Sequence, residues 1–434
     1  MGIREDVHEM KLSSPHMAAT SEQVRNGALI KIADTLLQNR EEIFDENQKD
    51  LSAAKENHIS DAVIKRLKFD EAKLTTVVEG LHQLSKLPDP VGKQQLCRQL
   101  DEGLILKRIS CPIGVIGVIF EARPDALVQI SSLCIKSGNC AVLKGGKETA
   151  NTNKILFSLI YQSCMEAGLP KGCLLQAQAH SEIDELLQCD RDVDLLIPRG
   201  SNRFVSYIMD HTRIPVMGHA DGVCHIYVDK DANLSKAVPI VLDAKTQYTA
   251  ACNAVETVLL HEQIAKDFLQ AAAKEIKKVG ILLYGDENAV GYAASAQTSE
   301  ALEMERIEEK DYGREYLELK MSVKVVSGVK EAVEHINRFG SHHTDAIITE
   351  NEKTADYFMQ MVDSAGVYQN VSTRFADGFR YGFGAEVGIS TGKIHARGPV
   401  GLEGLMTYKY KLYGQGQIVG DYAEGKKEFH FKDL

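Results

Sequence analysis

From Gly114 onward the chain alternates β-branched runs with runs of helical spacing, and this alternation restricts its fold more than any other feature. Gly114 to Phe120 is a β-branched run, Ala126 to Lys136 is helical, and Cys140 to Leu143 is strand-like again. Gly145-Gly146 then breaks the chain before another helix. Strand–helix–strand–helix order implies a parallel sheet, because parallel neighbours are joined by crossovers and these are right-handed. The pattern continues through Val193 to Ile197, a short apolar run that ends in Pro198-Arg199-Gly200-Ser201, and through His225 to Val228. A second α/β stretch runs from about 230 to 380, with Val255 to Leu260 and Ala346 to Thr349 as its clearest strands. Ahead of the alternation, residues from about 17 to 87 read as helices, with apolar positions at helical spacing in Ala28 to Leu37. Gln99 to Ile109 is strand-like around a turn. The tail returns as strand over Met406 to Tyr413, turns at Gly414-Gln415-Gly416, and continues over Gln417 to Val419. A hairpin near each end serves oligomerisation as readily as it forms a simple edge.

Composition narrows the function classes. A chain of 434 residues exceeds one compact core, so two or three domains are expected. The net charge, 50 − 61 = −11, argues against nucleic-acid binding, which needs a basic face, but leaves room for a local basic pocket. The nine cysteines are scattered, odd in number and without a CxxC pair, so neither a disulfide framework nor a zinc site is expected. Free thiols suit a reducing compartment. The start, Met1 to Asp6, lacks a secretory apolar core, and no uncharged apolar run reaches the ~20 residues of a membrane helix. These features describe a cytoplasmic protein with no membrane partner. His342-His343-Thr344 and His219 are possible site groups, but no metal-ligand spacing occurs and each reads better as a structural histidine.

Chemistry concentrates in a few segments. The turn Lys144-Gly145-Gly146-Lys147-Glu148 follows a strand, where parallel sheets bind ligands. Its glycines permit close backbone approach, the next helix N-terminus favours an anion, and its lysines supply charge to a ribose phosphate. A glycine-rich turn with solvated lysines reads the same way, and no GxGxxG is present; Gly382 to Gly388 has the wrong spacing for one. Cys252 differs from the other cysteines in lying among Ala250, Ala251 and Ala254, beside Asn253. Small neighbours leave room for a substrate carbonyl, with an amide and a backbone N–H to meet an oxyanion; a packed helix offers the same neighbours. Asn370 to Arg380 carries two arginines, two hydroxyls and an amide. With His395-Ala396-Arg397 and Glu121-Ala122-Arg123-Pro124, it suits an acidic, phosphorylated ligand.

These strings resemble those of the gamma-glutamyl phosphate reductase family. The resemblance rests on Gly114 to Pro124, Lys136-Ser137-Gly138-Asn139, Leu143 to Glu148 and Ala251-Cys252-Asn253-Ala254. It rests also on Ser372 to Gly378, Gly384 to Thr391 and His395 to Leu405, in the family's order over nearly the whole chain. It implies an aldehyde-dehydrogenase-like α/β fold, with two parallel-sheet α/β domains and a β-hairpin oligomerisation element. The implied organisation is a nucleotide-binding domain over 1–225 with a hairpin near 97–112, a catalytic domain over 226–395, and a return segment with oligomerisation strands over 396–434. It implies NADPH and L-glutamyl 5-phosphate as substrates in the second step of proline synthesis, a homodimer or higher homo-oligomer, and functional coupling to glutamate 5-kinase.

Carried over residue by residue, the resemblance makes Cys252 the nucleophile, with Asn253 beside it. Lys144, Gly145, Gly146, Lys147 and Glu148 become the cofactor turn, and Ser201 part of a second cofactor loop by a looser match. Arg123, Asn370, Ser372, Thr373 and Arg374 are assigned to substrate by their chemistry. Thr249 departs from the proline that the family usually carries there, and the first sixteen or so residues match nothing in it. Glu256, four residues after Cys252, reads as structural, because phosphate departure leaves no water to activate. Two rivals stand beside this reading: an ordinary aldehyde dehydrogenase that hydrolyses its thioester, and a nucleotide-binding scaffold without activity.

Overall fold

A computed structural model describes residues 2–121, 123–178, 181–218, 221–295 and 301–434, without the side chains of residues 61, 62 and 181. His219 lies outside these residues. The chain forms two compact units: residues 1–217, 383–388 and 400–434, and residues 218–382 and 389–399. The division falls at Met217 rather than 225, because Cys224–Val228 pairs with strands of the second unit.

The first unit opens with helices α1 (Ile3–Ala19), α2 (Glu22–Gln38), α3 (Arg40–Glu56), α4 (Asp61–Leu67) and α5 (Glu71–Lys86). The helical region thus starts earlier than the apolar spacing suggests. On α1, Ile3, Val7, Met10 and Met17 are buried, and Lys11 reaches Asp194 at 2.6 Å. Strands β1 (Gln94–Asp101) and β2 (Leu104–Pro112) then form an antiparallel hairpin. Four parallel strands follow: β3 (Val115–Phe120), β4 (Cys140–Gly145), β5 (Leu174–Gln176) and β6 (Leu195–Arg199), in the order β5-β4-β3-β6. Every residue of β3 is buried, which is why its run is continuously apolar rather than alternating. Helices α6 (Pro124–Ser137), α7 (Ala150–Glu166), α8 (Ser181–Leu187) and α9 (Asn202–His211) lie between or after these strands. Pro124 presets the first turn of α6, and Gly138 ends it in the left-handed region at φ 72°.

The antiparallel sheet runs Met406–Tyr413, β2, β1, Lys432–Asp433. Gln417 to Val419 does not continue it as a strand. The Gln417 amide folds back, accepting from Gln415 N at 2.6 Å and donating to Glu102 O at 3.0 Å. A short helix, Val419–Ala423, follows instead.

The second unit is built on seven parallel strands in the order β10-β9-β11-β8-β7-β12-β13. They are β7 (Cys224–Val228), β8 (Val255–His261), β9 (Leu282–Gly285), β10 (Met304–Arg306), β11 (Lys320–Val326), β12 (Thr344–Ile348) and β13 (Gly366–Gln369). Side chains alternate between its faces. Ile226, Val258, Leu260, Ala346 and Ile348 enter one buried cluster, while Tyr227, Leu259 and Ile347 enter another. Helix α10 (Leu234–Thr246) carries the chain back to the amino end of β8. Among the described residues no helix is long and apolar enough to cross a membrane.

One buried carboxylate organises the start of α7. Asp50 accepts from Thr152 N at 2.8 Å, Thr152 Oγ1 at 2.6 Å, Asn151 Nδ2 at 2.9 Å and Asn151 N at 3.2 Å. Replacing Asp50 with alanine strands several of these donors and should lower stability by about 2 kcal/mol. Urea unfolding of the two proteins checks this.

Candidate active site

Cys252 lies in the loop between α10 and β8. Its small neighbours belong to a turn closed by Ala254 N donating to Ala251 O at 2.9 Å, not to a helix. Strands β7, β8 and β12 all begin beside it, so this centre forms at the amino ends of the sheet. Cys252 is partly exposed, whereas Cys134, Cys140, Cys164, Cys173, Cys189 and Cys224 are buried. Burial pushes the Cys134 and Cys140 thiols up to about 12, which keeps them protonated and inert.

Close packing fixes the cysteine backbone. A Cβ on Gly222 would fall 2.2 Å from Cys252 O and 2.6 Å from its Cα, so only glycine fits there. From the strand beneath, the Cys224 thiol donates to Cys252 O at 3.3 Å. Thr373 Oγ1 donates to Asn253 O at 2.7 Å, and Asn253 Nδ2 donates to Ala376 O at 2.8 Å. Asn253 therefore turns its amide to the protein and is buried; its Oδ1 has no partner among the described residues.

The sulfur meets a histidine that its sequence context marks as structural. His343, buried just before β12, places Nε2 3.2 Å from Cys252 Sγ. Its Nδ1 lies 2.9 Å from Thr344 Oγ1. His342, in the left-handed region at φ 59°, anchors its ring to Asp363 O at 2.6 Å and so turns the next residue inward. Nothing in a His-His-Thr string ahead of an apolar strand announces this, because the contact joins positions 91 residues apart.

Positive charge gathers nearby. Arg374 is buried, and its Nε donates to Gln247 Oε1 at 2.9 Å. Burial, then Arg380, push its guanidinium down from the usual range, while charge on Cys252 opposes that. Arg380 Nη1 donates to Arg374 O at 2.9 Å. Gln247 was absent from the sequence reading. Ser372 and Asn370 also make hydrogen bonds within the protein. Ser372 Oγ accepts from Arg374 N at 3.3 Å, and Asn370 binds Thr349 at both amide ends, at 3.0 and 2.9 Å. Arg123 lies exposed in the first unit, at the residue before α6.

Glu256 is sealed in β8 against Lys245, at 2.6 Å with both side chains fully buried. Burial raises the Glu256 carboxyl to about 7, against the pull of Lys245. Its two oxygens are held by Lys245 Nζ at 2.6 Å and Leu317 N at 3.3 Å, which ties it in place.

In the first unit the carboxyl ends of β3, β4 and β6 align, with Phe120 opposite both Gly145 and Arg199. Lys144 Nζ donates to Gly145 O at 2.7 Å, and burial lowers its ammonium while Glu182 and Glu148 hold it up. A Cβ on Gly145 would meet Asn153 Nδ2 at 2.1 Å, and one on Gly146 would meet the Glu148 carboxylate at 2.3 Å. Lys147 is exposed, and Ser201 N donates to Glu121 Oε2 at 3.1 Å. Bare backbone, two lysines and a carboxylate at one strand end fit the hydroxyls and phosphates of a nucleotide. The α7 N-terminus, expected to favour a ligand anion, already holds Asp50.

The chain matches the aldehyde dehydrogenase family over residues 3–311. It is 50% identical over 429 residues to the gamma-glutamyl phosphate reductase of Ruminiclostridium cellulolyticum, covering 99% of this chain and 97% of that protein. It is 51% identical to that of Acetivibrio thermocellus, with the same coverage. The crystal structure of gamma-glutamyl phosphate reductase from Thermotoga maritima superposes with a TM-score of 0.91 at 36% identity, over 95% of this chain and 99% of that one. The chain belongs to the gamma-glutamyl phosphate reductases, within the aldehyde dehydrogenase family. The family match begins at residue 3, so the opening helix is part of the likeness and not an unmatched extension. Membership also brings a nicotinamide cofactor as redox partner.

The Lys245–Glu256 pair gives a pH-dependent prediction. The folded protein keeps a proton on Glu256 that the unfolded chain, at the usual 4.5, has released. This carboxyl therefore costs stability as pH rises from about 4.5 to 7, and removing Lys245 enlarges the cost. Lys245→Met should destabilise by about 3 kcal/mol near pH 8 and by distinctly less near pH 5.5. Denaturant titrations at the two pH values measure it.

Proposed function

We propose that this chain reduces L-glutamyl 5-phosphate to L-glutamate 5-semialdehyde with NADPH and release of phosphate, in the second step of proline synthesis from glutamate. The observation that carries the reading is a half-exposed Cys252 thiol with a histidine nitrogen at 3.2 Å and a buried arginine close by. The identity to gamma-glutamyl phosphate reductases over almost the full chain supports the substrate.

Cys252 sulfur attacks the acyl carbon, and the bond to the phosphate oxygen breaks. Phosphate is a good leaving group, so this step needs orientation and charge more than strong acid catalysis. Arg374 neutralises the departing charge, with Arg123 as a further substrate contact. When bound, a nicotinamide cofactor would supply the hydride that reduces the Cys252 thioester. The carbon–sulfur bond then breaks, releasing aldehyde and restoring the thiol. Lys144, Gly145, Gly146, Lys147, Glu148 and Ser201 hold the cofactor, and the two lysines suit the extra phosphate of NADPH. Asn253, Ser372, Thr373 and Asn370 hold the loops that carry Cys252 and Arg374.

The antiparallel sheet leaves Tyr408, Tyr410 and Leu412 exposed on one face of its outer strand, which suits assembly into a homodimer or larger homo-oligomer. The free thiols suit the cytoplasm. Acyl phosphates are labile in water, which favours functional coupling to glutamate 5-kinase. The rival reading, hydrolytic oxidation of an aldehyde, would call on a carboxylate base for water, and Glu256 is locked to Lys245. Dependence of the reverse reaction on inorganic phosphate separates the two.

Cys252→Ala should abolish reduction and leave NADPH binding within about twofold of the parent, as a nucleophile outside the nucleotide-binding turn requires. Full turnover in that variant overturns the covalent route. Arg374→Ala should raise KM for the acyl phosphate at least about tenfold, the loss of one charge-assisted contact, with KM for NADPH nearly unchanged. Equal losses for both ligands count against its role.

A further inference from the structure

The Cys252 thiol must lose a proton before it attacks, and the reading above does not say where that proton goes. We propose that His343 accepts it, and that a row of hydroxyls behind His343, from Thr344 through Tyr368 to Tyr381, sets the imidazole tautomer that makes it an acceptor. This rests on the thioester reading of Cys252.

Among the described residues, His343 Nε2 is the group that hydrogen-bonds to Cys252 Sγ. The other ionisable neighbours are excluded by their own bonds. Glu256 is tied to Lys245, and the Cys224 thiol donates to a backbone carbonyl and is held protonated by burial. A neutral imidazole has one donor and one acceptor nitrogen. Nε2 can accept from sulfur only if Nδ1 carries the hydrogen and donates to Thr344 Oγ1, 2.9 Å away. The Thr344 hydroxyl must then send its own hydrogen elsewhere.

Tyr368 supplies that outlet. Its phenol is hydrogen-bonded to the Tyr381 phenol, and its oxygen borders the same space beside Gly366 as the Thr344 hydroxyl. A Cβ on Gly366 would lie 3.0 Å from Tyr368 Oη and 3.1 Å from Thr344 Oγ1, so glycine leaves the space in which the two oxygens meet. Burial raises the Tyr368 phenol, which keeps it a donor toward Tyr381. The hydrogens from Nδ1 through Thr344 and Tyr368 then all point away from Cys252. Reversing His343 to the other tautomer would leave Nδ1 without its hydrogen and turn Nε2–H toward the thiol, where it is useless as a base.

The proton balance closes. The S–H bond breaks and Nε2–H forms as sulfur bonds to the acyl carbon. The carbon–oxygen bond to phosphate breaks with its electron pair on oxygen, and phosphate leaves as hydrogen phosphate with the proton from Nε2. The later hydride is the cofactor's, and the thiolate released with the aldehyde takes a proton from solvent by way of His343. His343 is thus a catalytic residue, and Thr344, Tyr368 and Tyr381 are positioning residues.

The test compares His343→Gln, His343→Gly and Tyr368→Phe with the parent enzyme, with NADPH binding and thermal melting as checks on folding. His343→Gln should lose about a hundredfold in kcat with little change in KM, the scale of general base catalysis. Alkylation of Cys252 by iodoacetamide at neutral pH should slow at least about tenfold in it, and added imidazole should restore turnover in His343→Gly. Tyr368→Phe, which removes one oxygen, should lower kcat and the alkylation rate together, several-fold, without raising KM, a split that a loosened fold would not give. If the His343 variants fail to fold, Tyr368→Phe decides. Unchanged alkylation and kcat in variants that bind NADPH overturn this inference, yet leave the thioester route standing. An active Cys252→Ala overturns the route itself.

Discussion

Two reciprocal hydrogen bonds between the Cys252 loop and the turn at Ser372 to Ala376 hold the candidate centre together. Thr373 gives a hydrogen to Asn253 O, and Asn253 gives one to Ala376 O, all in buried surroundings. Each bond contributes on the order of 1 kcal/mol, but breaking either strands a buried group at a larger cost. The pair also explains why Arg374 stands where it does. Its backbone lies between Thr373 and Ala376, so locking those two delivers the guanidinium to Gln247 and toward the thiol.

Gly222 closes the same loop from the other side. With hydrogen bonds on one flank and bare backbone on the other, Cys252 has little room to shift. The sulfur can therefore keep its 3.2 Å contact with His343 in a loop that has no regular secondary structure of its own. Rigid support beneath an exposed thiol is what a covalent step needs, because misplacement by about 1 Å costs orders of magnitude in rate.

Buried charge is matched by hydrogen-bond donors or by an opposite charge. Asp50 is neutralised by backbone and side-chain donors at the start of α7, and Lys245 and Glu256 neutralise each other. Among the described residues, Lys144 and Arg374 are pushed down by burial without a carboxylate hydrogen-bonded to them. Cations left incompletely matched are those ready to take an anionic ligand. Charge state thus marks the same two places that the lysine–glycine turn and the arginine-rich segment marked in sequence.

Much of the fold was legible in the chain. The run Gly114 to Phe120 and the strand at Val255 are apolar because both faces of a parallel sheet are covered, and that burial writes itself into consecutive residues. The glycine turn after Cys140 to Leu143 and the unusual surroundings of Cys252 were legible too, since each is a local property. Gln417 to Val419 was misread because one amide folding back onto a turn leaves no periodic trace. That the Asn370 amide closes on Thr349 was not legible, because the two meet only when β12 and β13 pair. By itself the sequence determined the α/β fold and the family, and it singled out Cys252. Tertiary structure alone decided that His343 meets Cys252 and that the α7 N-terminus is already filled. Both depend on distances between residues far apart in the chain, and those distances exist only once the sheets have formed.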